Sequence, residues 1–260
     1  MIKHIFCDLD GTLYENGIKK EDILAIERIE KQDIVFHVAT GRVFKQANNI
    51  IKNNLDMNGY YICENGSFVY DKDGNMIFKE TISDNLAKKI IARFESDDAK
   101  IYFKHDGKII LLDDKNNPFV KFTKNFLVDP DFIKRESFDN LIGNIGIACE
   151  SEEELIRIEL YLKSEFNEVV DIYFSSSTTL NIVPKGASKI NAIKFVCDRL
   201  GANLEEIATM GDSPNDICML EGVKHSFAMS TAREDVRDSA NYLVDNVSSA
   251  IDIIEKINCK

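Results

Sequence analysis

The sequence predicts an α/β protein, a doubly wound, Rossmann-like core on a parallel sheet with an α+β unit inserted into it. Three observations predict this. Short apolar runs alternate with helical periodicity at both ends of the chain, which is the rhythm of βαβ units on a parallel sheet. In the middle that rhythm gives way to successive strands around few helices. And 260 residues suffice for one large domain or two modest ones without covalent staples.

The elements follow in order. Residues 2–10 are apolar with β-branched members and break at Gly11, which reads as a buried strand ending in a turn. Residues 18–31 carry Ile23, Ile26 and Ile29 at helical spacing, and residues 34–39 form a second strand that stops at Thr40-Gly41. A helix over 42–55 puts Val43, Ala47, Ile50 and Ile51 on one face, before a strand at 60–63. Strands 67–70 and 76–78 flank Asp73-Gly74, a hairpin signal.

The middle region then reads as a helix over 86–94, strands at 101–104 and 108–112 joined near Asp106-Gly107, and a strand at 144–149. A helix over 152–166 and strands at 169–174 and 179–183 complete it. Phe94, Phe103, Phe119, Phe122, Phe126, Phe132 and Phe138 crowd this stretch. From Ser188 the βα rhythm resumes: a helix to Leu200, a strand at 207–210, a helix to Leu220, a strand at 226–229 and two closing helices. The expected division is a core of residues 1–81 plus 185–260 and an insert of residues 82–184.

Charge narrows the function. With 44 acidic against 32 basic side chains, a net charge of -12, the chain is a poor partner for nucleic acid or an anionic membrane, which need clustered Lys and Arg. The six cysteines show no CxxC or CxxH pairing, so buried thiols in a reducing compartment are expected rather than disulfides or zinc. The first ten residues turn acidic too soon for a signal sequence, and no apolar run reaches membrane-spanning length. The expected location is cytoplasmic. No oligomeric state follows from the sequence.

Chemistry concentrates in Asp8-Leu9-Asp10-Gly11-Thr12. On an extended strand, residues two apart face the same side, so both carboxylates would project together at the strand's carboxyl end, where ligands bind in open α/β sheets. Two carboxylates so close need a cation between them or a retained proton. Both remedies suit phosphoryl transfer, with one Asp attacking phosphorus and the other moving a proton. Gly11 lets the backbone turn tightly. The bland alternative is an Asp-rich turn that caps a helix.

Gly211-Asp212-Ser213-Pro214-Asn215-Asp216 is the second cluster, again directly after an apolar strand. One further Asp beside the first pair would complete a Mg²⁺ site, although the segment read by itself is a turn with an N-cap. Thr40-Gly41, at a strand end, offers a hydroxyl and backbone N–H groups to a phosphate. Lys189 opens a predicted helix and could offset the charge of carboxylates and phosphate. His37, inside an apolar strand, and Cys7, facing away from Asp8, read as core residues; Arg42 reads equally as a substrate contact or a surface residue.

These four pieces, in this order and over nearly the whole chain, resemble the haloacid dehalogenase superfamily of phosphohydrolases, and most nearly its Cof-type branch. The resemblance implies Asp8 as a nucleophile forming an aspartyl-phosphate and Asp10 as general acid, then base. It implies Thr40, with the Leu9 and Gly41 backbones and Lys189, around the transferring phosphoryl group. It implies Mg²⁺ on Asp8, Asp212 and the Asp10 carbonyl, with Asp216 supporting the ion from behind and Asn215 touching the phosphate or orienting Lys189. The insert becomes an α+β cap that sets specificity, and the partner a small phosphomonoester such as a sugar phosphate. Three positions depart from the family's usual pattern: Ile190 stands where a Gly is frequent, Asn181 where an acidic residue is frequent, and Asp245-Asn246-Val247-Ser248 where an acidic-Gly turn is usual. A sugar-phosphate mutase would use the same core, distinguished by releasing no inorganic phosphate. A receiver-type regulatory module would also gather Asp, Thr and Lys around Mg²⁺, but it has no room for an insert or for a second Asp two positions on.

Overall fold

The computed structural model describes residues 1–93, 99–115, 117–121, 123 and 125–259. Phe94 and Phe122, counted above among the middle phenylalanines, lie outside the described residues. In chain order the first elements are β1 (His4–Cys7), α1 (Lys20–Glu30), β2 (Val35–Ala39), α2 (Phe44–Lys52), β3 (Tyr61–Cys63), β4 (Phe68–Tyr70) and β5 (Met76–Lys79). Then come α3 (Asp84–Ile91), β6 (Lys100–His105), β7 (Lys108–Leu111), β8 (Leu127–Val128), β9 (Ile142–Ala148), α4 (Glu152–Phe166), β10 (Val170–Ser176) and β11 (Thr179–Pro184). The last are α5 (Lys189–Leu200), β12 (Ile207–Gly211), α6 (Ile217–Glu221), β13 (His225–Met229), α7 (Glu234–Asp238), β14 (Tyr242–Val244) and α8 (Val247–Asn258).

The chain divides into two compact units, Met1–Phe78 with Ser188–Lys260, and Lys79–Ala187. The first holds an eight-stranded sheet in the order β14-β13-β12-β1-β2-β3-β4-β5. Every pairing from β14 to β3 is parallel, and β4 runs antiparallel to β3. Helix α5 lays Ile190, Ile193 and Val196 on Phe6, Ala39, Ile62 and Ile207; each such side chain taken fully from water contributes roughly 1.5–3 kcal/mol. Helices α1 and α8 pack on one another, α1 also on β2 and α8 on β12. Arg28 of α1 reaches Asp252 and Glu255 of α8. Side-chain caps start α5 and α8, with Ser188 accepting from the Asn191 N–H and Asn246 from the Ser249 N–H.

The second unit is a six-stranded sheet, β10-β11-β9-β6-β7-β8, antiparallel except between β7 and β8. Ala87, Ile90 and Ile91 of α3 and Leu155, Ile158 and Leu162 of α4 share one core with Phe103, Ile145, Ile147, Leu180 and Ile182. Phe132 and Phe138 are buried in it. Side chains alternate across a strand, so Tyr102, Asn144 and Asn181 lie on the other face, where Tyr102 and Asn144 both donate to Asn181 Oδ1. Phe119 stacks on Tyr102.

The structure corrects the sequence reading locally. Strand β1 ends at Cys7, and the Leu9 carbonyl accepts the N–H groups of Thr12, Leu13 and Tyr14. Asp8 and Asp10 therefore do not share an extended strand: a turn begins between them. Helix α2 starts at Phe44, with Val43 at its N-cap, so Thr40-Gly41 lies in a loop ahead of the helix. Residues 214–216 form one 3₁₀ turn before α6. Strand β14 was not expected, because Tyr242, Leu243 and Val244 form a run too short to announce itself. No helix among the described residues is long and apolar enough to cross a membrane.

His37 is a buried polar residue with a defined hydrogen-bonding state. Its Nδ1 accepts the Tyr60 N–H at 2.9 Å, and its Nε2 lies 3.2 Å from His4 Nδ1. These partners assign the ring proton to Nε2. Phe6 stacks on the ring at 4.4 Å. Burial pushes the imidazole well below its ordinary value, with His4 adding to the effect. An unfolded His gains a proton below about pH 6.5, whereas the folded ring stays neutral. Stability is thus complete above that pH and falls as pH drops toward the folded value, by up to about 1.4 kcal/mol per pH unit for one proton. Urea unfolding at pH 7.5, 6.5 and 5.5 should show this loss. His37→Asn, which keeps an acceptor for Tyr60, should be less stable at pH 7.5 yet lose less on acidification; an unchanged slope would remove His37 as the cause.

Candidate active site

The parallel strands β12, β1 and β2 are neighbours, and each delivers one polar residue just past its carboxyl end: Asp212, Asp8 and Thr40. The Asp8 N–H still donates to the Met210 carbonyl at 2.9 Å, and the Thr40 N–H to the Ile62 carbonyl at 2.8 Å. Both side chains therefore start from backbone that the sheet holds in place. Lys189 is the first residue of α5. The 3₁₀ turn at Glu64–Gly66 sits against that helix start, where Gly66, at φ 105°, leaves no room for a Cβ beside the Ser188 carbonyl.

Lys189 is fully buried. Its Nζ donates to Asp8 Oδ1 at 2.6 Å and to Asp216 Oδ1 at 2.5 Å. The second Asp216 oxygen accepts the N–H groups of Asp212 and Ser213 at 3.0 and 2.9 Å. Asp216 is thus committed at both oxygens to the lysine and to the loop that carries Asp212. Asp212 accepts from the Thr12 hydroxyl at 2.6 Å and from the Ser213 hydroxyl at 3.2 Å. Gly11, at φ 87°, passes so close that a Cβ would overlap the Asp212 carboxylate.

One carboxylate oxygen from each of Asp8, Asp212 and Asp216 lies within 4.8 Å of the others. Burial pushes Asp8 upward, and Asp216 and Asp212 add to that, against the pull of Lys189. Burial likewise raises Asp212, with Asp216 adding, against the Thr12 and Ser213 hydrogen bonds. Burial would drive Lys189 toward neutrality, but Asp216 and Asp8 outweigh it and hold the ammonium above its ordinary value. Three carboxylates facing one ammonium leave an excess of negative charge in a poorly solvated place, and a divalent cation relieves it. Asp8 is bonded to Lys189 through one oxygen and Asp212 accepts from two hydroxyls, so both have lone pairs to offer one. Asp216 instead accepts the ammonium and two N–H groups.

Asp10 is apart from this cluster. Its carboxylate is about half exposed and held by Arg42, whose Nε and Nη2 donate to its two oxygens at 2.7 and 2.5 Å. Thr40 is buried, and its hydroxyl accepts the Arg42 N–H at 3.1 Å. Asn215 Nδ2 donates to Asn65 Oδ1 at 2.9 Å, and the Asn65 N–H donates to the Thr40 carbonyl at 3.0 Å. Asn215 therefore sits beside Asn65 and the Thr40-Gly41 loop, while the carboxylates of Asp8 and Asp216 hold Lys189. The sequence reading missed Thr12, Asn65 and Ser213 as participants and left Arg42 undecided. Thr12 and Ser213 stood inside the quoted motifs; Asn65 had only an Asn-Gly turn signal.

An acidic cluster at the carboxyl edge of a parallel sheet, closed by a buried lysine, is the kind of site that α/β proteins use to handle phosphoryl groups. A family model for haloacid dehalogenase-like hydrolases matches residues 5–251, and the chain belongs to that family of enzymes. It is 24% identical to an HMP-PP phosphatase of Serratia proteamaculans over 86% of this chain and 82% of that one. It is 26% identical to a 5-amino-6-(5-phospho-D-ribitylamino)uracil phosphatase of Bacillus subtilis over 94% of this chain and 90% of that one. A crystal structure of a Thermotoga maritima protein has the same fold, with a TM-score of 0.87 at 24% identity, covering 98% and 97% of the two chains.

The buried lysine makes a testable claim about stability. Lys189→Met leaves Asp8 and Asp216 buried without their cation and should cost about 3–5 kcal/mol in metal-free buffer. Adding Asp8→Asn to it should recover part of that loss. Urea unfolding of the two variants measures both numbers, and a near-neutral Lys189→Met would show that the ion pair is not what balances the cluster.

Proposed function

We propose that this chain is a Mg²⁺-dependent phosphatase that hydrolyses a small phosphomonoester, a sugar phosphate or a related phosphorylated metabolite, through an aspartyl-phosphate on Asp8. The observation that carries the reading is the Asp8 carboxylate: it stands past the central strand, tethered at one oxygen by Lys189, with Asp212 beside it. The phosphatase names of the two relatives support it.

In the first step an Asp8 oxygen attacks phosphorus, the bond to the leaving oxygen breaks, and Asp10 gives that oxygen a proton. In the second, Asp10 takes a proton from water as the water oxygen attacks phosphorus, and the Asp8–phosphorus bond breaks to release inorganic phosphate. Thr40, the Leu9 and Gly41 backbones, Asn215 and Lys189 hold the phosphoryl oxygens, Lys189 with a fixed positive charge. Asp8, Asp212 and the Asp10 carbonyl would hold Mg²⁺, with Asp216 behind them, and the ion supplies charge neutralisation at the phosphoryl group. The Lys79–Ala187 unit is the expected cap and would set the preference for the substrate's organic part.

Asp8→Asn retains the shape and a hydrogen-bond acceptor for Lys189 but cannot form the acyl phosphate. With p-nitrophenyl phosphate and Mg²⁺, turnover should fall at least about a thousandfold while the circular-dichroism melt stays cooperative. EDTA should abolish wild-type turnover and Mg²⁺ restore it. Substantial activity in Asp8→Asn would refute the nucleophile.

A further inference from the structure

The Asp10 carboxylate is gripped by a side chain that the proposed chemistry leaves without a task. Arg42 donates to both Asp10 oxygens, and its guanidinium lies 5.6 Å from the centre of the Tyr14 ring. The Asp10 end of the fork is itself fixed, since Asp10 bridges to Tyr14 and the Gly11 N–H donates to the Tyr14 carbonyl at 3.2 Å. The Arg42 end is fixed too. Its N–H donates to the Thr40 hydroxyl, and its carbonyl accepts the Glu64 N–H at 3.0 Å. With its backbone anchored, Arg42 holds Asp10 through a planar guanidinium whose two parallel donors a lysine does not have.

Arginine does not surrender its proton in a protein, and the Asp10 carboxylate raises Arg42 further. Arg42 is therefore no acid or base itself. Both Asp10 oxygens are engaged, so one arm of the fork must open before Asp10 can pass a proton to or from a reacting oxygen, while the other arm keeps the carboxylate in place.

We infer that Arg42 is a positioning residue for proton transfer: it holds Asp10 through one arm of the bidentate pair while the other oxygen exchanges a proton with the leaving group. The inference rests on the proposed phosphatase reading and adds a residue to it. In the step concerned, the phosphorus–oxygen bond breaks, its electron pair stays on the alkoxide oxygen, and the Asp10 proton moves to that oxygen. An alkoxide needs that proton to depart, whereas p-nitrophenolate does not, so the two leaving groups separate a positioned acid from a phosphate contact.

The value of kcat/KM reports steps through departure of the leaving group and is the quantity to measure. For Arg42→Met, kcat/KM on glycerol phosphate should fall about a hundredfold, within the usual range for a general acid, and on p-nitrophenyl phosphate by less than about fivefold. Arg42→Lys, which retains charge without the fork, should fall between wild type and Arg42→Met on glycerol phosphate. In an Asp10→Asn background, adding Arg42→Met should change kcat/KM on glycerol phosphate by less than about twofold. Equal losses on both substrates, or a full further loss in the Asp10→Asn background, would overturn the positioning role while leaving Asp8 chemistry intact. Undiminished turnover in Asp8→Asn would instead overturn the reading beneath it, and the inference with it.

Discussion

The site depends on one fully buried ammonium. Lys189 is fully buried, and its two carboxylate partners come from well-separated parts of the chain, Asp8 and Asp216. A lone charge so buried would be prohibitive; here each charge is the reason that the others can stay. Asp216 joins this pair to the sheet, since its second oxygen anchors the backbone of Asp212 and Ser213. Moving the lysine therefore disturbs Asp8 and also the loop that carries the third carboxylate.

The same arrangement divides labour among four acidic side chains of one sequence type. Asp8 is buried and half committed, Asp216 is buried and wholly committed, Asp212 is steadied by two hydroxyls, and Asp10 is outside with an arginine. Identical carboxyls acquire different burial and different partners from where the backbone leaves them. The turn after Cys7, with three N–H groups converging on the Leu9 carbonyl, takes Asp10 off the strand and leaves its carboxylate to Arg42.

Much of this was legible in the residues. The alternation of apolar runs with helical spacing identified the parallel sheet, because both faces of a parallel strand must be covered and that leaves a compositional trace. The acidic motifs were visible because charges directly after apolar strands are unusual. What could not be read was direction. Period-two logic took Asp8 and Asp10 as members of one strand, but the strand stops at Cys7, a boundary that hydrogen bonds set and composition does not. The fork between Arg42 and Asp10 joins residues from two loops, and no spacing within either loop encodes it. Strand β14 owes its existence to pairing with β13, a tertiary effect.

The separation between Asp8 and Lys189 along the chain also bears on biogenesis. During synthesis the Asp8 segment leaves the ribosome long before its counter-charge, and the whole Lys79–Ala187 unit emerges in between. That unit has its own hydrophobic centre and is the part able to condense first. The remaining sheet closes only when β12 slots in beside β1, a late, non-local pairing of the kind that slows folding. Until then the amino-terminal part of the core, Met1–Phe78, carries β1 as an unpaired strand edge.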